Sequence, residues 1–226
     1  MLAAVLVSVS LVYNTGKEAP PAGNQNTGTE AAADTPSLNK MSPIGEKDHI
    51  VGSLDAPVKI VEYSDLECPF CKRFHGVMQE VVSTYGNKVA WVYRHLPIDE
   101  LHPKARKEAE ASECAAELGG NEKFWAYIDR LTEITPGNNG LDPAELPNIA
   151  ETVGLDRGAF TACLSSGRMA ERVNAQVEEG NAIMNGRPGT PFSILMTPNG
   201  DLFPINGAYP IDAVKAFVDQ ALALAK

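Results

Sequence analysis

Basic residues are scarce in this chain of 226 residues. Lys and Arg number 19 against 29 Asp and Glu, for a formal charge of −10. That balance argues against a broad phosphate-binding surface, and so against a nucleic-acid partner. Long apolar runs are lacking as well: no stretch reaches the roughly 18 uninterrupted residues of a membrane helix, which excludes a polytopic membrane protein. Cysteines number 4, too few for a small scaffold held by disulfides, though an even number allows pairing. Histidines also number 4, namely His49, His75, His95 and His102. None stands at metal-ligand spacing from another, so no metal site is expected. No internal repeat occurs. What remains is an ordinary globular balance, 44% hydrophobic and 21% charged. It is enough for the core of one domain of roughly 180–200 residues, or of two small ones.

Leu2 to Tyr13 is an apolar run broken only by Ser8 and Ser10. It is shorter than the roughly 20 residues that span a bilayer, and fits the apolar core of a secretory signal or the end of a membrane anchor. Residues 1–13 are therefore read as such a segment, although no basic residue precedes it and no clean small-x-small site follows. The competing reading is the frayed end of a cytosolic protein. Residues 14–45 are rich in Gly, Pro, Asn, Thr and Ala, with Leu38, Met41 and Ile44 the only large apolar residues. Such a stretch buries too little surface to offset its chain entropy and is expected to be a flexible linker. The folded domain then spans 46–226 and carries nearly all of the negative charge.

Within it, Val58 to Tyr63 and Val89 to Arg94 have the β-branched and aromatic composition of strands. Between them Phe74, Val77, Met78, Val81 and Tyr85 recur at helical spacing from Pro69 onward, making a β-α-β unit. A helical block follows: Pro103 to Leu118, Glu122 to Ile134, a helix opened by Asp142-Pro143-Ala144-Glu145, a short helix capped by Asp156, and Arg168 to Asn185. Phe192 to Met196 and Leu202 to Ile205 flank Pro198-Asn199-Gly200-Asp201, a hairpin signal, and Ile211 to Leu224 closes the chain as an amphipathic helix. The fold class is α/β, a β-α-β then a β-β-α with a helical insertion at about 101–170.

Cys68-Pro69-Phe70-Cys71 ends the first strand and opens the first helix. Residues i and i+3 of a helix face one side, so the two sulfurs can lie within disulfide reach. Cys68 sits where backbone N–H groups point outward, which lowers a thiol pKa and supplies thiolate at neutral pH. Cys71, one turn inside, is expected to be covered and to act as the resolving thiol. Pro69 at the first turn gives up no needed hydrogen bond. The strand-to-helix setting favours a redox pair. The competing readings are a structural disulfide or half of a zinc site, but Cys114 and Cys163 stand alone rather than as a second close pair. Pro191, in Gly189-Thr190-Pro191-Phe192, fits either a cis bond that offers the Thr190 backbone to an extended substrate or a trans bond at an edge strand. Spacing alone does not decide.

Together, the strand-CPFC-helix unit, the Gly189-Thr190-Pro191 loop and the helical insertion resemble the DsbA-like thiol-disulfide oxidoreductases, a thioredoxin-fold family. The likeness runs from about Asp48 to Leu224 and includes Tyr93-Arg94-His95-Leu96-Pro97, His102-Pro103, Glu113-Cys114-Ala115 and Phe124-Trp125. It implies that Cys68 attacks, that Cys71 resolves, and that Thr190–Pro191 is cis, with Pro69, Phe70, Thr190 and Pro191 contacting substrate. It also implies a proton-relay role for Glu62, six residues before Cys68; the competing reading is a solvated strand residue. No cofactor beyond the Cys68–Cys71 disulfide is implied. The implied partners are reduced or unfolded exported polypeptides and a quinone-linked membrane protein that reoxidises the pair. No dimerisation domain is visible, so a monomer outside the cytoplasm is expected.

The strongly oxidising type of that family has a histidine where Phe70 stands. Phe70 offers no charge or donor, so Cys68 is expected to have a pKa between about 3.5 and 7 rather than at the extreme. Glu67 is expected to push it up and Lys72 and Arg73 to offset that. Isomerase or reductase activity is therefore an alternative to oxidation, with a non-catalytic zinc or binding module behind it. A Cys114–Cys163 disulfide is favoured over two buried thiols, as suits an exported protein. His75 is read as an exposed helical residue, and His95 and His102 as loop structure. Glu108, Glu110, Glu113 and Glu117 are read as a solvated helix face, and Trp91 and Trp125 as core.

Overall fold

In the computed structural model, which describes residues 35–224, the two β-branched runs pair in parallel at the centre of a sheet. The expected signal or anchor at 1–13, and the linker as far as residue 34, lie outside the described residues. The sheet comprises β1 (His49–Val51), β2 (Val58–Ser64), β3 (Val89–His95), β4 (Phe192–Met196) and β5 (Leu202–Asn206), in the order β1-β3-β2-β4-β5. Helix α1 (Pro69–Tyr85) makes the crossover between β2 and β3. Strand β1 runs antiparallel to β3, β4 antiparallel to β2, and β5 antiparallel to β4. Helices α2 (Ala105–Ile134), α3 (Glu145–Thr152), α4 (Arg157–Ser166) and α5 (Ala170–Ile183) fill the connection from β3 to β4, and α6 (Ile211–Ala223) ends the fold. This is the thioredoxin-like β-α-β, β-β-α order with a helical insertion.

Period two along β2 divides its side chains between two cores. Val58 and Ile60 join Phe74, Met78, Trp91, Phe124 and Val218 in the larger core. Val61 and Tyr63 join Val92, Leu96, Ile183 and Phe192 in the smaller one. Glu62 belongs by that alternation to the larger-core face, where α1 packs. On the opposite face α5 comes close at Gly180, where a Cβ would stand 2.9 Å from Leu96 and 3.3 Å from Tyr63.

Several expectations are corrected. Strand β1 carries no signal in the sequence, because three residues are too few to show a period. Helices expected at 103–118 and 122–134 form one run bent at Gly120 (φ 71°, ψ −166°), a conformation that glycine adopts without steric penalty. Pro143 does not open α3, which begins at Glu145; Asp142 instead accepts from the Ala144 N–H at 2.9 Å in a preceding turn. Asp156 caps α4 by accepting from the Ala159 N–H at 2.7 Å. Residues 35–45, expected to belong to the linker, are docked: Leu38, Met41 and Ile44 pack on the smaller core, and the Ser37 N–H donates to the Ile183 carbonyl at 2.7 Å.

The acidic stretch of α2 is not a solvated face. Glu108, Glu110 and Glu113 are buried, and only Glu117 stays on the surface, paired with Arg168. Glu113 gathers His49 (3.0 Å), His95 (3.5 Å) and Arg172 (2.6 Å), tying β1, β3 and α5 to α2. Burial alone would raise its pKa, but the bonds from the two histidines outweigh that and hold it well below the usual carboxylate range. His75 is likewise buried rather than exposed, 2.6 Å from Asp129.

Candidate active site

Strand β2 ends at Ser64, and the turn Asp65-Leu66-Glu67 swings the chain into α1. Cys68 is the N-cap residue, in extended conformation (φ −74°, ψ 121°), and Pro69 occupies the first helical turn. The Cys68 N–H donates to the Asp65 carbonyl at 3.1 Å, and the Cys68 carbonyl accepts from the Lys72 N–H at 3.0 Å. Asp65 secures the turn: Oδ1 accepts from the Glu67 N–H at 2.9 Å, and Oδ2 from the Ile98 N–H at 2.8 Å. Cys68 and Cys71 are both free thiols and buried. When protonated, the Cys68 thiol donates to the Thr190 carbonyl at 3.5 Å, and the Thr190–Pro191 peptide is cis. The Asp65 N–H donates to Cys71 Sγ at 3.5 Å. Phe70 projects outward, 54% exposed, with the Arg73 guanidinium 5.2 Å from its ring centre.

The two sulfurs differ sharply in acidity. The Cys68 thiol is lowered to about 6, chiefly because Cys71 hydrogen-bonds to it; burial opposes this, and the N–H groups of Cys71 and Phe70 assist. Cys71 is raised well above the ordinary thiol value by burial, then by the Cys68 charge and by Glu62. At neutral pH the pair is thus one thiolate and one thiol. Glu62 is fully buried and accepts from the Trp91 Nε1–H at 2.9 Å. Burial raises it to about 7, against lowering contributions from Ser64, His75 and Trp91. A carboxyl titrating there can gain or lose a proton under cellular conditions.

The loop after α2 also packs on this turn, which sequence reasoning missed. The Glu67 carbonyl accepts from the Asn138 N–H at 2.7 Å, and its carboxylate from the N–H groups of Gly140 (3.3 Å) and Leu141 (3.2 Å). Gly137 has φ 77°, and a Cβ there would meet the Glu67 carbonyl at 3.3 Å. Glu67 is therefore turned away into the helical insertion and is not the repulsive neighbour expected for Cys68. Glu108 lies against it. Burial, then the hydrogen bond to Glu67, raises Glu108 to about 9, so it stays protonated and donates to the Glu67 carboxylate. Lys72 donates to the carbonyls of Glu133 (3.3 Å) and Thr135 (2.5 Å). A cleft of about 450 Å³ opens between Pro97, Ile98, Asp99, Val177 and Pro188, and neither Thr190 nor Pro191 lines it. Cys114 and Cys163 form a disulfide between α2 and α4, with Cα atoms 5.9 Å apart. Among the described residues no group of three or more His, Cys, Asp or Glu could hold a metal ion.

A family model described as Thioredoxin matches residues 45–195. Part of Na(+)/H(+) antiporter NhaA 3 of Salinispora tropica is 35% identical over 190 residues, or 84% of this chain and 27% of the antiporter. The chain thus spans about a quarter of the length of that curated relative, and no helix among its described residues is long and apolar enough to cross a membrane. Among solved structures, DsbA2 of Pseudomonas aeruginosa superposes with a TM-score of 0.67 at 25% identity, covering 80% of this chain and 98% of that one. Wolbachia pipientis alpha-DsbA1 superposes with a TM-score of 0.70 at 20% identity, covering 84% and 97%.

Proposed function

The chain belongs to the DsbA-like thioredoxin-fold family of thiol-disulfide oxidoreductases, and from that premise we propose that it oxidises reduced polypeptides outside the cytoplasm through Cys68 and Cys71. In the oxidised enzyme a substrate thiolate attacks Cys68 Sγ. The Cys68–Cys71 bond breaks, a mixed disulfide forms at Cys68, and Cys71 leaves as a thiolate. Glu62, titrating at about 7 beside Cys71, supplies the proton that this buried sulfur needs. A second substrate thiolate then attacks the mixed disulfide and releases Cys68 as a thiolate. Two electrons have passed to the enzyme, and a membrane oxidant removes them. The Thr190 carbonyl beside Cys68, with Pro191, Pro69 and exposed Phe70, forms the surface against which the substrate backbone lies. On this reading residues 1–13 carry export or anchoring and the stretch up to the docked residues is a linker to the domain.

The observation that carries the proposal is the pair of free thiols one turn apart at the start of α1, with the cis Thr190–Pro191 peptide against Cys68. A Cys71→Ser variant tests it. It is expected to accumulate mixed disulfides through Cys68 with reduced polypeptides; a variant that traps none, in a protein that oxidises no reduced peptide, refutes it. Phe70 favours a second reading, because the motif adds no cation: the pair could run as a reductase or isomerase. The redox equilibrium with glutathione separates them, with a strong oxidant near about −120 mV and a reductant near about −270 mV.

A further inference from the structure

We propose that His102, held by Asp65, is the cation that stabilises the Cys68 thiolate, a charge the motif itself lacks. Neither cation next to the motif serves this purpose: Lys72 is bonded to the last carbonyls around the end of α2, and Arg73 lies over the Phe70 ring. His102 is buried, and its Nδ1 lies 2.9 Å from Asp65 Oδ2. The same Asp65 touches both cysteines through its backbone, accepting from the Cys68 N–H and donating to Cys71 Sγ. One residue therefore links the imidazole to the turn that carries both cysteines. Burial alone would lower the imidazole pKa, but Asp65 and then the Cys68 charge and Asn138 raise it above its ordinary value.

The groups around it are accounted for. Asp65 faces His102 from the turn after β2, Cys68 from α1 and Asn138 from the loop after α2. Behind Asp65 stand Glu67 and Glu108, with Lys104 near them. Glu108 keeps its proton, so that pair carries one negative charge, held by backbone N–H groups. The Asp65–His102 pair is neutral while the imidazole is charged. A new negative charge appears beside it only when the disulfide is reduced. The exchange needs no further reactant: a substrate dithiol gives up two electrons and two protons, one proton replaces the one Glu62 passes to Cys71, the other goes to solvent, and Cys68 remains a thiolate opposite the imidazolium. Because two interacting sites shift each other equally, a thiolate that holds the proton on His102 is itself stabilised by that proton.

This inference rests on Cys68 being the acidic, attacking sulfur. The test is an NMR titration of the His102 ring in the full chain, disulfide form against dithiol form. Its midpoint is expected to lie about one unit higher in the dithiol form; equal midpoints overturn the inference. As a second measurement, His102→Asn keeps a side-chain amide to donate to Asp65 but cannot be charged. It is expected to raise the Cys68 thiolate midpoint by about one unit and to shift the glutathione equilibrium about tenfold toward the enzyme disulfide, or about 30 mV. An unchanged Cys68 midpoint overturns the inference. If Cys68 in the unaltered protein titrates as an ordinary thiol, the functional proposal fails with it. An acidic Cys68 beside a His102 blind to redox state removes this inference alone.

Discussion

Glu62→Gln is expected to make the protein more stable at alkaline pH and a poorer enzyme at once. The carboxyl is fully buried in the folded chain and titrates at about 7 instead of 4.5, chiefly because burial disfavours its charge. A carboxyl raised on folding binds its proton more tightly in the folded state than in the unfolded one. Stability therefore falls as pH rises from about 4.5 to about 7, and the full penalty is present above that. The displacement corresponds to about 3 kcal/mol, each unit being about 1.4 kcal/mol. Glutamine keeps an oxygen to accept from Trp91 Nε1 and never charges. The variant should therefore gain up to about 3 kcal/mol over the parent at pH 8 and almost nothing at pH 4. Denaturant unfolding of the disulfide form at both values reads this difference, because no active-site thiol titrates there. Turnover with a reduced peptide should slow about tenfold or more at neutral pH, as the proton for Cys71 must come from elsewhere. A gain that is the same at pH 4 and pH 8 would show that Glu62 is not ionising in the core, and unchanged turnover would remove it from the relay.

Three further outcomes follow from the same physics. Phe70→His should lower the Cys68 midpoint by about one unit and raise the potential by about 30 mV, read from thiolate absorbance and the glutathione equilibrium; a rise in the midpoint would contradict the account. Glu113→Gln should destabilise by about 3 kcal/mol at pH 7, since it leaves buried imidazoles and Arg172 without their carboxylate. Because that carboxylate is depressed on folding, the loss should shrink once pH falls below about 4, as the parent forfeits the same stabilisation; a loss independent of pH would exclude the ionic origin. Replacing Cys114 and Cys163 together by Ala opens a closure 49 residues apart and should lower unfolding free energy by up to about 4 kcal/mol, while leaving the Cys68 midpoint where it is.

The parts of the fold that could be read in advance are those with local causes. Strands β2 to β5 show β-branched runs or a hairpin turn, and α1 and α6 show apolar stripes. What could not be read depends on a partner distant in the chain. Strand β1 exists because the edge of β3 pairs with it, from His49 opposite Tyr93 to Val51 opposite Trp91. Leu38, Met41 and Ile44 are too diluted by polar residues to suggest packing, yet they find a face completed by Ile183 and Phe192, about 150 residues away. Helix α2 misled for a related reason. Its glutamates repeat at spacings that suit a wet face, but His49, Arg172 and Glu67 approach them from other elements and enclose them.

The same distinction runs through the site. The C-x-x-C spacing at a helix start is a local signal, whereas Glu62 follows from the family resemblance. Asp65 and His102 stand 37 residues apart and are joined only because the turn after β3 returns to the end of β2. Their meeting brings an imidazole to a motif without a cation, in addition to the Cys71 hydrogen bond and the helix-start N–H groups that make the first thiol acidic. The two raised carboxyls near it differ in consequence. Glu108 has surrendered its charge to a partner, Glu67, whose carboxylate is held by two backbone N–H groups, so that pair organises the loop after α2. Glu62 has no such carboxylate partner; its proton is balanced near neutrality within the electrostatic reach of Cys71. A core acid that lowers stability at the pH of use is hard to justify as packing, because glutamine or an apolar residue would serve better there. Its position makes sense if the proton is exchanged each time the neighbouring sulfur is released and reclaimed.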